Sequence, residues 1–487
     1  MRVVVTGATG YIGGRLVPEL LGAGHEVRCL ARSPGKLRDH PWRPRVEVVR
    51  GDVLDRESLE AALADTDAAY YLVHSMGGGA GFADRDLRAA RNFADAAAAC
   101  RLRRIVYLGG PVPGGGRPSA HLRSRAEVGR VLLEGRVPTA VLRAAVVIGS
   151  GSASFEMLRY LTERLPVMTT PRWVRSRVQP IAVRDVLRLL VAAAELPADV
   201  DRAFDIGGSD VMTYADMIQG FARVEGIRPR LIIPVPVLSP WLSSLWVGLV
   251  TPVPGAVARP LVESLRHDAV CREDDLSALL GDHGRVDYEQ AVRLALRRTR
   301  QVDVATRWSS ADWPTAPSDP LPTDPEWTGG SCYLDERSRT VAAAPEDLWR
   351  VVEGIGGARG WYSWPLAWSA RGWLDRLTGG VGLRRGRRDP ERLRVGDSLD
   401  FWRAEEVERG RLLRLRAEMR LPGLAWLELG VERAAGRTVY RQRAVFQPRG
   451  LAGQLYWWGI RPFHGIVFGS MARNIARAAE AAAHRGA

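Results

Sequence analysis

"VVVTGATGYIGGRLVPELL", Val3 to Leu21, sets three glycines in GxxGxxG spacing between a β-branched run and an amphipathic stretch. Glycine at Gly7, Gly10 and Gly13 gives a tight turn, lets the backbone approach a pyrophosphate, and packs a helix closely on a strand. Ala8, Thr9, Tyr11 and Ile12 complete the loop. The helix that follows would aim its free N–H groups and its dipole at the phosphates. The motif opens the chain and predicts a nucleotide site at the start of a βαβ unit.

Outward from it, short apolar runs alternate with helical periods. The predicted strands are Val3 to Thr6, Glu26 to Leu30, Val46 to Arg50, Ala68 to Val73, Arg104 to Leu108 and Thr139 to Arg143. Helical patterns fall at Ile12 to Leu21, Arg56 to Leu63, Asp84 to Ala99 and Ala120 to Leu133. This order predicts an α/β fold, a Rossmann-type doubly wound parallel sheet. Beyond about Gly149 the alternation loosens, which suits a substrate lobe. Ligands of such sheets bind at strand C-termini, so Asp52 and Val53, Leu72, Val73 and His74, and Leu108 and Gly109 are expected to touch the cofactor. An NAD-preferring site has a carboxylate after the second strand. Here Ala31 and Arg32 stand there, and an arginine suits a 2′-phosphate, so NADP(H) is favoured over NAD(H).

The chain has 487 residues, too many for one core, and two domains are the natural reading. Residues 1–305 form the first, a Pro-rich linker spans 306–330, and 331–487 form the second. The formal charge of +14 comes almost wholly from arginine, with Lys36 the only lysine. That reads as a general compositional bias, so nucleic acid is not an expected partner. The second domain is nonetheless the basic one, with 27 arginines against 17 carboxylates. Its densest run, Arg384 to Arg394, reads as a solvated loop or a contact for an anionic membrane or acidic partner.

Cys29, Cys100, Cys271 and Cys332 lack metal-ligand spacing and suit a reducing cytosol; no metal site is expected. No secretion signal is read at the N-terminus. The uncharged stretch Leu231 to Ala258 contains five prolines that leave only Trp241 to Thr251 uninterrupted. At about 16 Å that is too short to span a bilayer, so the stretch reads as buried, substrate-lining or interfacial. In the second domain, strand patterns at Ser338 to Ala343, Leu412 to Met419, Trp426 to Glu432 and Thr438 to Gln447 accompany "APEDLWRVVEG" and a long final helix from about Phe463 to Ala483. These predict a separate α+β domain. Its tryptophans, Trp361, Trp364, Trp368, Trp373, Trp402, Trp426, Trp457 and Trp458, are core residues or the walls of an apolar-ligand cavity.

"TGATGYIGG", "GDVLD", "YYLVHSM", "RRIVYLGG" and "SAHLRSRAEVGRVL" together resemble the atypical short-chain dehydrogenase/reductases, in the NmrA-like NAD(P)-binding branch. "VAAAPEDLWRVV" and the final helix resemble the helix-grip domain shared with lipid-transfer and polyketide-cyclase proteins. The first resemblance implies reduction of a carbonyl by Tyr-xxx-Lys on the helix after the fifth strand, with a serine at that strand's end. Here the serine's place is glycine, and the helix offers His121 and Arg125. The two share a helix face. Histidine can act as a general acid, contact a ligand or simply lie on the surface, while arginine can orient but not shuttle a proton. Tyr70, Tyr71 and His74 are the other donors at hand, and since Tyr70 and Tyr71 face opposite ways, at most one looks into the cleft. Arg143, Gln179 and Arg184 are pocket candidates by resemblance. Two functions are expected: a cytosolic NAD(P)H-dependent oxidoreductase reducing a carbonyl or enone of an apolar small molecule, or a non-catalytic NADP(H)-sensing protein. Peripheral membrane contact accompanies the second, and the oligomeric state is open.

Overall fold

The computed structural model describes the chain except for residues 74–80, 113–117, 171, 236–249, 282–283, 303–330, 364–388, 390–391, 420, 435 and 487. The chain divides into two compact units, Met1–Gly330 and Ser331–Ala487.

In the first unit, β1 (Arg2–Thr6) carries Val3, Val4 and Val5 with no exposed surface. Side chains alternate across a strand, so Val3 and Val5 enter the core of one face and Val4 that of the other. A strand buried on both sides reads as a continuous apolar run, the signature of a parallel sheet. β2 (Glu26–Ala31), β3 (Glu47–Arg50), β4 (Ala68–Tyr71), β5 (Arg104–Gly109), β6 (Thr139–Ala144) and β11 (Arg202–Ile206) complete it. All neighbours are parallel, in the order β11-β6-β5-β4-β1-β2-β3. Helices α1 (Tyr11–Gly22) and α6 (Val183–Ala193) cover one face. Helices α2 (Arg56–Leu63), α3 (Phe82–Ala99) and α4 (Ala120–Leu133) cover the other.

The later part of this unit packs α5 (Ala153–Arg164), α7 (Tyr214–Glu225) and α10 (Tyr288–Val302) around Phe155, Phe221 and Val292. Three short strand pairs frame it: β7 (Val147–Ile148) with β10 (Ile181–Ala182), β8 (Val167–Thr170) with β13 (Leu231–Pro234), and β9 (Arg177–Val178) with β12 (Met212–Thr213). Helices α8 (Gly255–Ser264) and α9 (Asp275–Leu280) follow. Most of the uncharged stretch 231–258 lies outside the described residues. Its end does not: Val253 and Ala258 are buried against Met157 of α5 and Val262 of α8. Among the described residues no helix is long and apolar enough to cross a membrane.

The second unit is an antiparallel six-stranded sheet in the order β14-β19-β18-β17-β16-β15. Its strands are β14 (Tyr333–Val341), β15 (Ser398–Leu399), β16 (Trp402–Glu408), β17 (Leu412–Ala417), β18 (Gly423–Ala434) and β19 (Arg437–Pro448). Leu413, Leu415, Leu427 and Leu429 face α11 (Pro345–Glu353) and α12 (Gly450–Gly486). Between them, Arg414 and Arg443 approach Glu428 at 3.8 and 3.3 Å. The final helix starts at Gly450, well before the expected Phe463, and runs through Pro462. Glycines and a proline oppose a helix locally; burial of Trp457, Val467 and Phe468 against the sheet overrides them. The first strand likewise begins at Tyr333 rather than Ser338, because it pairs along nearly the whole of β19. The linker lies outside the described residues, as does most of the Arg384 to Arg394 run; its end does not, since Leu393 is buried and its amide donates to Glu353 Oε1 at 3.2 Å.

Candidate cofactor and reaction site

At the end of β1 the chain turns through Gly7, whose φ of +76° is the left-handed region that glycine adopts without strain. A Cβ there would also stand 2.7 Å from the Leu72 carbonyl oxygen. A Cβ on Gly13 would strike the Gly7 carbonyl, so the helix can sit on the loop only as glycine. Gly10 caps α1 without a side-chain hydrogen bond, and no acid lies in the first turn. The helix therefore offers backbone N–H donors and no competing carboxylate, the donor set a pyrophosphate needs. Ala8 is buried, while Thr9, Tyr11 and Ile12 are half-buried at the rim.

Arg32 follows β2 directly and is exposed, in no ion pair among the described residues. Asp52 stands just past β3. Its Oδ1 accepts the Leu54 amide at 3.0 Å, and its own amide donates to Ser58 Oγ at 3.0 Å. Asn92 of α3 donates to the Leu54 carbonyl at 3.0 Å, fixing the turn that carries Val53. Leu72 and Val73 follow β4, with the Leu72 amide held by Thr6 Oγ1 at 3.2 Å. His74 lies outside the described residues.

The candidate reaction end is built by β5 and α4. Ser119 caps α4 by accepting the Leu122 amide at 3.2 Å. One turn on, Arg125 swings back to the strand: its Nη2 donates to the Leu108 carbonyl at 2.7 Å. A Cβ on Gly110 would stand 3.2 Å from Arg125 Nε, so the guanidinium occupies space that a side chain at 110 would contest. That Nε is buried and has no hydrogen-bond partner among the described residues. A cavity of about 360 Å³ runs along α4 beside β5 and β6, lined by Gly109, Gly110, Arg125 and Arg143 at one end and by Arg130, Leu133 and Glu134 at the other, without His121. His121 is half-buried, and burial, then the nearby Arg125 charge, lowers its imidazole to about 4. At pH 7 only about one molecule in 10³ carries the imidazolium.

Tyr71 does not join them. It is buried in the core with its ring 4.9 Å from Phe93 and 6.0 Å from Tyr107, and burial pushes its hydroxyl far up. The candidacy of Tyr71 as a proton donor is corrected by its position: its side of the strand faces α3 and α4, not a cleft. Tyr70 is equally buried on the opposite side, donating to the Leu190 carbonyl at 3.2 Å. Gln179 is taken up by the Gly208 carbonyl at 2.8 Å and the Cys271 amide at 3.1 Å. Arg184 leans on Asp185 at 3.3 Å, and Arg143 lies 3.8 Å from Asp205.

Sequence reasoning missed Arg15. Its guanidinium is buried beneath the loop, 4.1 Å from the Tyr11 ring centre, and donates to the carbonyls of Tyr11 at 3.1 Å and Ser150 at 3.3 Å. An arginine four residues after Tyr11 on an otherwise apolar helix face was the available signal. The residues present fit a dinucleotide: a glycine cradle that any Cβ would fill, an uncapped helix end and an exposed arginine beyond β2.

A family profile described as "NAD(P)H-binding" matches residues 7–143, and one described as "Protein of unknown function (DUF2867)" matches residues 327–471. A ceramide reductase of Caulobacter vibrioides is 32% identical over 249 residues, 47% of this chain and 72% of that protein. A 3 beta-hydroxysteroid dehydrogenase/Delta 5-->4-isomerase of Mycobacterium tuberculosis is 39% identical over 80 residues; the match spans 16% of this chain and only 21% of that enzyme. Triphenylmethane reductase of Citrobacter sp. shares the fold, with a TM-score of 0.50 at 20% identity over 61% of this chain and all of that one. The DUF2867 match falls on the second unit of this chain, while the glycine cradle, the seven-stranded parallel sheet and the extent of the match to the ceramide reductase identify the chain as a member of the NAD(P)H-binding, NmrA-like short-chain dehydrogenase/reductase family.

Proposed function

We propose that the first unit is an NADPH-dependent reductase acting on a carbonyl or enone of an apolar molecule. The single observation carrying this reading is the open glycine cradle at the same edge of the sheet as a polar pair, His121 and Arg125, spaced for one face of α4. The likeness to a ceramide reductase, whose named substrate is strongly apolar, supports the substrate class. So does the buried end of the uncharged stretch: α8 lies beside α4, with Ser264 Oγ 3.2 Å from Ser119 Oγ, two residues from His121.

NADPH, when bound, would supply a hydride to the carbonyl carbon. This chain's part is to orient the carbonyl oxygen and bring it a proton. A neutral His121 cannot deliver one as imidazolium, but its N–H can donate a hydrogen bond to the developing alkoxide, with water as the proton source. Arg32 would hold the 2′-phosphate. Arg125 fixes the Leu108 carbonyl and, through it, the end of β5.

Oxidation of NADPH by the purified chain against a panel of ketones, enones and quinones tests the reaction, with His121→Ala expected to turn over about 10- to 100-fold more slowly. No turnover with any of them, alongside tight NADPH binding, supports the second reading, an NADP(H) sensor. That reading is favoured by the buried Tyr71 and by glycine in the serine's place. Equilibrium dialysis checks the cofactor: Arg32→Ala should weaken NADPH roughly tenfold and leave NADH unchanged.

A further inference from the structure

The solvent side of α12 is unlike that of an ordinary surface helix. From Gly450 to Gly469, Arg461 is the only residue among Asp, Glu, Lys and Arg. Trp457, Val467 and Phe468 face the sheet, and the cavity of about 190 Å³ beneath the helix is walled by Trp402, Trp426, Phe446 and His464 among others. Outward, large apolar side chains stand in water: Leu451 is 41% exposed, Leu455 64%, Trp458 57%, Phe463 63% and Ile466 61%. Leu451, Leu455, Trp458 and Ile466 follow helical spacing and form one stripe, with Phe463 beside it. Past Gly469 the same side turns polar, through exposed Arg473 and Arg477. Scattered apolar residues on a surface are ordinary, whereas a contiguous stripe marks an interaction site.

Charge decides the occupant. A second copy of this chain would bring one strongly basic unit against another, 27 arginines to 17 carboxylates in each. An anionic partner is favoured instead. The Arg461 guanidinium lies 5.1 Å from the Trp458 ring centre, so an indole and a cation share one level of the face. Tryptophan at the acyl boundary with arginine at the phosphates is the arrangement that an interfacial helix uses. Phe463 both lines the cavity and stands exposed in the stripe, so the cavity opens on this face.

We propose that the outward face of the first half of α12 seats the C-terminal unit on an anionic lipid surface, with Leu455, Trp458, Phe463 and Ile466 at the acyl boundary and Arg461 at the headgroup phosphates. The face belongs to the second unit, and its docking does not depend on turnover in the first.

Flotation of the full chain with vesicles of phosphatidylcholine alone, and of phosphatidylcholine mixed with phosphatidylglycerol, tests it. The chain should float with the mixed vesicles, and high salt should weaken the association. Leu455→Glu combined with Ile466→Glu should weaken it roughly tenfold or more, and Arg461→Glu by a smaller factor, with thermal melting and NADPH binding unchanged. No flotation with mixed vesicles overturns the proposal, as does flotation that neither variant alters. A shift from dimer to monomer in the double variant, without a change in flotation, would assign the face to self-association and overturn the proposal equally.

Discussion

The glycine loop and the start of α4 both lie at the C-terminal edge of the parallel sheet, but they present different parts of the chain. The loop presents backbone: N–H groups at an uncapped helix end, exposed because Gly7, Gly10 and Gly13 lack side chains. The start of α4 presents side chains, and their chemistry depends on what surrounds them. His121 is neutral because it is buried beside Arg125, and Arg125 reaches the Leu108 carbonyl because Gly110 leaves room. A backbone site is specified by spacing, so it is retained whole or lost. A side-chain site can exchange its letters in concert and keep its shape.

The loop should break first and hardest. Gly13→Val drives a side chain into the Gly7 carbonyl, and we expect a loss of about 3 kcal/mol of stability together with loss of NADPH binding. Calorimetry and dialysis check both; a variant that melts and binds like the parent would remove the loop from the phosphate site.

The α4 end should respond to acid. The His121 imidazole is lowered to about 4 in the folded chain against an ordinary value near 6.5. The unfolded chain therefore binds the extra proton first. The stabilising contribution is complete above pH 6.5 and is lost as pH falls from 6.5 to 4, by up to about 3 kcal/mol. Denaturant melts of His121→Phe should lack that slope, and a slope identical to the parent's would place the titration elsewhere.

The smallest effect sharpens the idea of concerted exchange. Gly110→Ser crowds Arg125 Nε, and Arg125→Lys gives up the bond to the Leu108 carbonyl, so each should destabilise alone. Together they should cost less than their sum, with a coupling of about 1 kcal/mol in a double-mutant cycle. Strict additivity would show that the two positions are independent.

What the sequence reveals follows the same division. β1 is legible because a strand buried on both faces becomes a β-branched run, and Arg56–Leu63 and Ala120–Leu133 have the expected bounds because each follows a capping residue, Asp55 or Ser119. Less legible are features set by distant partners. The period of two shows that Tyr70 and Tyr71 face opposite ways but not that both faces are covered. β15 and β16 are too short or too charged to stand out, and nothing local marks Gly450 as the start of α12. The direction in which Arg125 swings follows from Gly110, fifteen positions earlier.

Arg15 ties the loop to a second place. From Tyr11 its guanidinium crosses to the Ser150 carbonyl, and the neighbouring Gly151 amide donates to Glu156 Oε1 at 2.9 Å. Glu156 lies at the head of α5, where Arg159 and Glu163 are joined at 3.0 Å. The loop and α5 are thereby joined through bonded groups. Whatever factor the nucleotide imposes on substrate affinity, the substrate must return to the nucleotide.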